Sequence, residues 1–366
     1  MPTPARVVVV PAEAGPLQIR DVQLPDPGPY QVVVKQFASG ICHSQLHQMH
    51  RPRGGGVNQI LGHESTGVVL AVGKEVKHVQ EGDHVMVTWV PRDGENESRR
   101  AEGIVLDIGG GATARTGNSF TWADNTIADE QYIVKIGKDE RTDVTAIIGC
   151  AVMTGAGAVY YTAGVKKGQS VAIFGVGGVG LSAIAAAAVI GADPIIAVDL
   201  DHEKLEFAKK FGATVGVNAS EVDPVEAIRG LTESKDEQDM LGRWVAGVDY
   251  AFDCIGVRKT MEQIMPAARS GVLGAKSGGT AVLVGVPQTP VELNATDLLL
   301  NEKRYIGSIG GSCRPDRDFA MFLRWFKEGD LDLDAMVTAR YKLDDINEAT
   351  DALAAGKIAG RAIMQF

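Results

Sequence analysis

Residues 1 to about 148 carry short runs of alternating apolar and polar positions broken by glycine and proline: Arg6 to Val10, Leu17 to Val22, Gln31 to Phe37, Thr66 to Val72, and Asp83 to Trp89. Alternation with a period of two places one face of each run on a core, so the pattern predicts a small, irregular all-β domain. Between Pro91 and Trp122 the chain turns polar and glycine-rich (Asp93 to Glu97, then Gly109 to Gly111), which predicts a long surface excursion, solvated from Gly109 onward. From about 151 to 300 apolar strands alternate with helical stretches, the pattern of a parallel sheet with helices on both faces. The predicted strands are Ser170 to Phe174, Pro194 to Asp199, Thr214 to Val217, Val248 to Asp253, Thr280 to Gly285 and Arg304 to Ile309. After Gly310 come amphipathic helices around Asp318 to Lys327 and Ile346 to Ala354, then a strand from Ala362 to Phe366.

At 366 residues the chain exceeds one ordinary core and divides into two domains. A net charge of −10 argues against a basic nucleic-acid footprint and against attachment to an anionic membrane, leaving small molecules as partners. The N-terminus lacks the apolar core of a signal peptide, and the alanine-rich run after Gly180 is too short to span a bilayer, so a cytoplasmic location is expected. The four cysteines, at 42, 150, 254 and 313, are widely spaced, which suits metal or catalytic use better than disulfides. Cys254 reads as a small buried hydrophobe in a strand; Cys313 has no assigned role.

A glycine fingerprint, Gly175-Val176-Gly177-Gly178-Val179-Gly180, follows the apolar run Val171 to Phe174 and opens a helix. In that context Gly175 makes the tight turn, Gly177 lets a pyrophosphate approach the backbone, and Gly180 lets the helix pack closely, with the helix N-terminus facing the phosphates. Asp199, nineteen positions past Gly180, ends the next strand, where a carboxylate accepts ribose hydroxyls and repels a 2′-phosphate, pointing to NAD over NADP. Lys204, one turn further, is within reach of the ribose.

Three further segments, Gly40-Ile41-Cys42-His43-Ser44, Gly62-His63-Glu64 and Ile148-Gly149-Cys150, complete a set that resembles the zinc-containing alcohol dehydrogenases of the medium-chain dehydrogenase/reductase superfamily. The resemblance spans the whole chain and implies a GroES-like, mainly β catalytic domain (1–150, with 310–366 returning to it) and a Rossmann NAD-binding domain (151–309). It implies one catalytic zinc on Cys42, His63 and Cys150, with an open fourth position for the substrate oxygen. Glu64 is placed behind the metal. Ser44 and His47 match the family's proton relay. Thr154 and Val179 match positions that touch the nicotinamide, and His43 and Arg361 match positions that contact the pyrophosphate.

Three departures from the family pattern stand out. The four-cysteine lobe of a structural zinc has no counterpart between Pro91 and Trp122, so one zinc per chain is expected. Gln45 occupies a position often held by an aspartate that supports the ligand histidine, and His43 replaces a frequent arginine, which suggests looser cofactor binding. Cys150, where polyol dehydrogenases usually carry glutamate, favours ordinary alcohols and aldehydes.

The implied activity is reversible NAD-linked oxidation of an alcohol to an aldehyde or ketone, by a homodimer or homotetramer. Alternatives are a dehydrogenase of thiol–aldehyde adducts, a nicotinoprotein that keeps its NAD bound, and a non-catalytic NAD-binding structural protein. Zinc-independent quinone or enoyl reductases share the implied fold but have no use for two thiolates and a histidine.

Overall fold

The structure is a computed structural model that describes residues 2–50, 56–92, 99–101 and 103–366; the polar run from Asp93 to Glu97 lies outside these. Its strands are β1 (Thr3–Val10), β2 (Gln18–Leu24), β3 (Gln31–Ile41), β4 (Asn58–Ile60), β5 (Ser65–Val72), β6 (His84–Val87), β7 (Val105–Asp107), β8 (Thr113–Thr116), β9 (Asn125–Asp129), β10 (Ile133–Ile136), β11 (Val171–Phe174), β12 (Ile195–Asp199), β13 (Val215–Asn218), β14 (Tyr250–Asp253), β15 (Thr280–Leu283), β16 (Arg304–Gly307), β17 (Val337–Tyr341) and β18 (Arg361–Gln365). Two compact units result: Met1–Ala151 with Arg314–Lys327 and Leu333–Phe366, and Val152–Cys313 with Glu328–Asp332.

The first unit is built on two sheets. One runs β2-β1-β4-β8-β7; the other runs β10-β6-β5-β3-β18-β17, with β9 also on β3. Strand β3 is eleven residues long because its valines bury both faces, and its antiparallel pairing with β5 sets Ser39 opposite Ser65. That register delivers the ends of both strands to one place. Val8, Ile41, Trp122 and Ile346 share one apolar core, while Val7, Val33, Phe120 and Ile127 share another.

Here the structure departs from the expected surface excursion. Residues Val105–Asp107 and Thr113–Thr116 form an antiparallel hairpin, and Phe120 and Trp122 are fully buried. Three consecutive glycines at positive φ, Gly109, Gly110 and Gly111, make the hairpin turn, which masks the strand signal on either side.

The second unit is a six-stranded parallel sheet in the order β13-β12-β11-β14-β15-β16. Its four inner strands, β12, β11, β14 and β15, are four or five mostly apolar and buried residues each, as expected of a sheet covered on both faces. The helix Gly178–Ile190 is apolar all round and buried, and ends where Gly191 takes the left-handed conformation. Pro224–Thr232 starts at Asp223, whose carboxylate accepts from the backbone of Val225 at 2.8 Å and Glu226 at 3.2 Å. Cys254 lies one residue past β14 rather than within it, since pairing stops at Asp253.

Candidate active site

Cys42 directly follows β3, and His63 and Glu64 directly precede β5, so the β3–β5 pairing brings these three residues together. The Gly40 amide donates to the Glu64 carbonyl at 3.1 Å and continues the ladder to the site. Cys150 arrives from the short helical turn Val144–Gly149, which Thr88 fixes by donating its hydroxyl to the Gly149 carbonyl at 2.8 Å.

One ligand atom from each of Cys42, His63, Glu64 and Cys150 lies within 4.8 Å of the others. The two Sγ atoms are 4.0 Å apart, and His63 Nε2 is 3.2 Å from Cys150 Sγ. A tetrahedral zinc with ordinary bond lengths would separate two sulfurs by about 3.8 Å and a sulfur from a nitrogen by about 3.6 Å. The donor set therefore fits zinc in both chemistry and size. Both cysteines are buried and free, and their separation is about twice a disulfide bond length.

The glycine of the first motif has a specific cause. A Cβ on Gly40 would sit 2.4 Å from the Glu64 carboxyl carbon, so the buried carboxylate occupies the space a side chain would need. Gly62, before the ligand histidine, has φ of 101° and lies against the Thr121 and Trp122 backbone, which excludes other residues.

Charge in the site is shared. The Cys42 thiol is held well below the ordinary cysteine range by its hydrogen bond with Cys150, aided by Arg361 and His63 against the cost of burial. Cys150 is pushed well above that range by the same hydrogen bond and by burial. The shared hydrogen bond thus draws negative charge toward Cys42 and the proton toward Cys150. Burial pushes the Glu64 carboxyl up to about 7, opposed by Arg361 and reinforced by Cys42.

Arg361 is the counter-charge. It is 5% exposed at the start of β18, donates from Nη2 to Glu64 Oε1, and keeps its charge despite burial because Glu64 and Cys42 face it. The sequence places this arginine on the cofactor pyrophosphate; in the structure its terminal nitrogen is committed to Glu64, because a fully buried carboxylate demands a cation. Glu64 Oε2 has no hydrogen-bond partner among the described residues.

Ser44 and His47 lie three apart on the helix His43–His50, hence on one face, and the buried Ser44 hydroxyl has no partner among the described residues. His43 is exposed. Gln45 is fully buried and touches two ligands, accepting from the Cys42 amide at 2.6 Å and placing Nε2 2.8 Å from His63 Nδ1. Trp89, which no motif singles out, stands edge-on to His63 with ring centroids 6.4 Å apart. Its position beside Thr88, just past β6, was the available signal.

In the second unit, Gly175 turns the chain after β11 with φ of 88°, and a Cβ on Gly180 would sit 1.9 Å from the Gly175 carbonyl. A Cβ on Gly177 would meet nothing within 4 Å: the fingerprint's middle glycine faces open space at the helix N-terminus, as a pyrophosphate path requires. Gly178 and Val179 form the first helical turn. Asp199 ends β12, accepting from the Val176 amide at 2.9 Å and the Leu200 amide at 2.8 Å, so its carboxylate ties the fingerprint loop to the next strand. Lys204 is half-buried on the helix His202–Lys209, and the buried Thr154 hydroxyl has no partner among the described residues.

Comparisons with known proteins agree with this geometry. The alcohol dehydrogenase GroES-like domain family matches residues 28–138, and the zinc-binding dehydrogenase family matches residues 178–328. The chain is similar to an alcohol dehydrogenase class-3 of Cereibacter sphaeroides, 32% identical over 98% of each chain. It is also similar to an S-(hydroxymethyl)glutathione dehydrogenase of Paracoccus denitrificans, 30% identical over 94% of this chain and 96% of the relative. Among solved structures, benzyl alcohol dehydrogenase of Acinetobacter calcoaceticus superposes with a TM-score of 0.85 at 28% identity, covering 100% of this chain and 99% of the other. No helix among the described residues is long and apolar enough to cross a membrane. The chain belongs to the zinc-binding alcohol dehydrogenases, enzymes built from a GroES-like domain and a Rossmann-type domain and working with zinc and a nicotinamide dinucleotide.

Proposed function

We propose that the protein catalyses reversible oxidation of an alcohol to an aldehyde or ketone, with NAD as the hydride acceptor and one zinc per chain. The buried cluster of two thiols, an imidazole and a carboxylate within 4.8 Å carries this reading. Zinc supplies Lewis acidity at the substrate oxygen and the nicotinamide accepts hydride. All else falls to the chain. Cys42, His63 and Cys150 hold the metal. Glu64, paired with Arg361, stands behind it and offsets local charge. Ser44 takes the alcohol proton and passes it toward His47, for which a buried, unpartnered hydroxyl is suited.

In the cofactor site we place Gly175, Gly177, Gly178, Val179, Gly180, Asp199, Lys204 and Thr154, with His43 toward the pyrophosphate; Arg361 is left to Glu64. Asp199 supports NAD over NADP because a carboxylate disfavours a second phosphate. The domains are read as 1–150 with 310–366, and 151–309. A cytoplasmic homodimer or homotetramer is the assembly we favour, supported by β16, which ends its sheet with one edge unpaired among the described residues.

A panel of alcohols and thiol–aldehyde adducts, assayed with NAD on enzyme of measured zinc content, tests the reading. Turnover of simple alcohols lost on chelation and restored by zinc is expected. Full turnover in zinc-free protein would overturn it, and turnover confined to adducts would move the substrate class to them.

A further inference from the structure

Asp253 plays no part in metal or proton chemistry, yet both of its carboxylate oxygens are engaged by hydrogen bonds. It ends β14, beside Phe174 of β11 and Leu283 of β15, at the carboxyl edge where the strand order reverses. Ligands of parallel α/β sheets bind at such a reversal. Its side chain is fully buried. Oδ1 accepts from the Ile255 amide at 3.2 Å and from the Thr260 hydroxyl at 2.7 Å; Oδ2 accepts from the Gly256 amide at 2.9 Å. Its own carbonyl accepts from the amides of Val284 and Gly285 at 2.9 and 2.8 Å.

Those bonds join two loops, and packing brings in a third. The Ile255 side chain fills the place of a Gly175 Cβ, which would sit 2.3 Å from Cγ1, so the loop after β14 lies on the first fingerprint glycine. Gly256, at φ of 89°, lies so close to Val286 that a Cβ would be 2.3 Å from its carbonyl oxygen, and a Gly285 Cβ would be 2.3 Å from the Gly256 nitrogen. Around this junction Ile255, Val257 and Val286 are each more than two-fifths exposed, although they are large and apolar. A flat ring lying on them would cover that surface.

We propose that Asp253 is a positioning residue for the dinucleotide: it ties the loop Cys254 to Val257 to the first turn of the helix Arg258–Ala267, so that Ile255 and its neighbours form a rigid apolar wall against the fingerprint. The proposal rests on the NAD-binding reading above. Its energetic logic is preorganisation, since a loop already held by three hydrogen bonds need not be ordered when the ligand arrives.

The test is calorimetric titration of NAD into zinc-loaded wild type, Asp253→Asn, Thr260→Val and Thr260→Ser, with melting temperature and steady-state kinetics on each. Asparagine keeps the shape but turns a donor toward at least one of the three N–H or O–H groups. The expected results are an NAD dissociation constant raised at least tenfold in Asp253→Asn, raised severalfold in Thr260→Val and restored in Thr260→Ser. KM for NAD should rise accordingly, with kcat at saturating NAD little changed. Unchanged NAD affinity in folded Asp253→Asn, or in Thr260→Val if Asp253→Asn does not fold, would overturn the proposal even if the melting temperature fell. Absence of NAD binding by wild type would overturn the cofactor reading itself.

Discussion

Gln45 holds His63 by the wrong end for a metal ligand. Its Oε1 is engaged by the Cys42 amide at 2.6 Å, so the amide nitrogen faces His63 Nδ1 at 2.8 Å. Nδ1 then accepts, and the ring proton sits on Nε2, the atom 3.2 Å from Cys150 Sγ. Ligation through Nε2 requires Nδ1 to carry the proton, and a protonated Nδ1 needs an acceptor. With Oε1 turned to the Cys42 amide, the amide presents only a donor to His63, whereas the two oxygens of a carboxylate would face both. Gln45→Glu should therefore bind zinc about tenfold more tightly, within the range found for partners of metal ligands. Competition with a chromophoric chelator reads this directly, and an equal or weaker affinity would refute it.

Arg99 is clamped to Asp129 and Tyr30. Its guanidinium makes two 2.7 Å bonds to the buried Asp129 and lies 4.2 Å over the Tyr30 ring. Arg99→Ala leaves a buried carboxylate without its cation and should cost about 3 kcal/mol, the low end for breaking such a pair. Arg99→Lys should recover only part of this, because an ammonium lacks the planar fork. Denaturant midpoints measure both, and equal stability of Arg99→Ala and wild type would show that the clamp is idle.

His78 gives the pH dependence a definite sign. Its Nε2 is 3.0 Å from the Ile133 carbonyl, and burial, with Arg92 nearby, holds its pKa below the ordinary histidine value of 6.5. The native state thus binds the proton less readily than the unfolded chain. The stability that the neutral ring contributes is present above pH 6.5 and is lost as pH falls through the lower native value. The melting temperature of wild type should fall more between pH 7.5 and about 5 than that of His78→Gln. Parallel curves would show that another group governs acid sensitivity.

Local chemistry was legible in the sequence where a single segment contains its own cause. The helix Ile346–Ala354 and the fingerprint turn at Gly175 are of this kind, since periodicity and the glycine spacing specify them. What escaped depends on residues far apart in the chain. Glu64 and Arg361 meet across 297 positions, and no spacing rule pairs a buried carboxylate with one particular arginine among many. The hairpin at Val105–Asp107 and Thr113–Thr116 was hidden because two short strands around three glycines resemble solvated loop. The small residue at Gly40 was visible, but its reason, the Glu64 carboxylate above it, belongs to the folded register of β3 on β5.

Asp199 separates two roles that one substitution can distinguish. Its Oδ2 accepts from the Val176 amide at 2.9 Å, which shapes the fingerprint loop, while under the NAD reading proposed above its charge would also exclude a 2′-phosphate from the ribose position. Asp199→Asn removes the charge and retains one oxygen that can continue to accept from Val176 if the amide orients accordingly. Loss of repulsion alone should improve kcat/KM for NADP about tenfold, while kcat/KM for NAD should fall by a similar factor as the ribose hydroxyls lose a charged acceptor. Asp199→Ala removes both functions and should lower activity with both cofactors, because the loop is then unsupported. Steady-state kinetics with each cofactor resolves the cases: if Asn and Ala behave alike with NADP, the carboxylate acts on the loop and not on the phosphate, and selectivity must reside elsewhere.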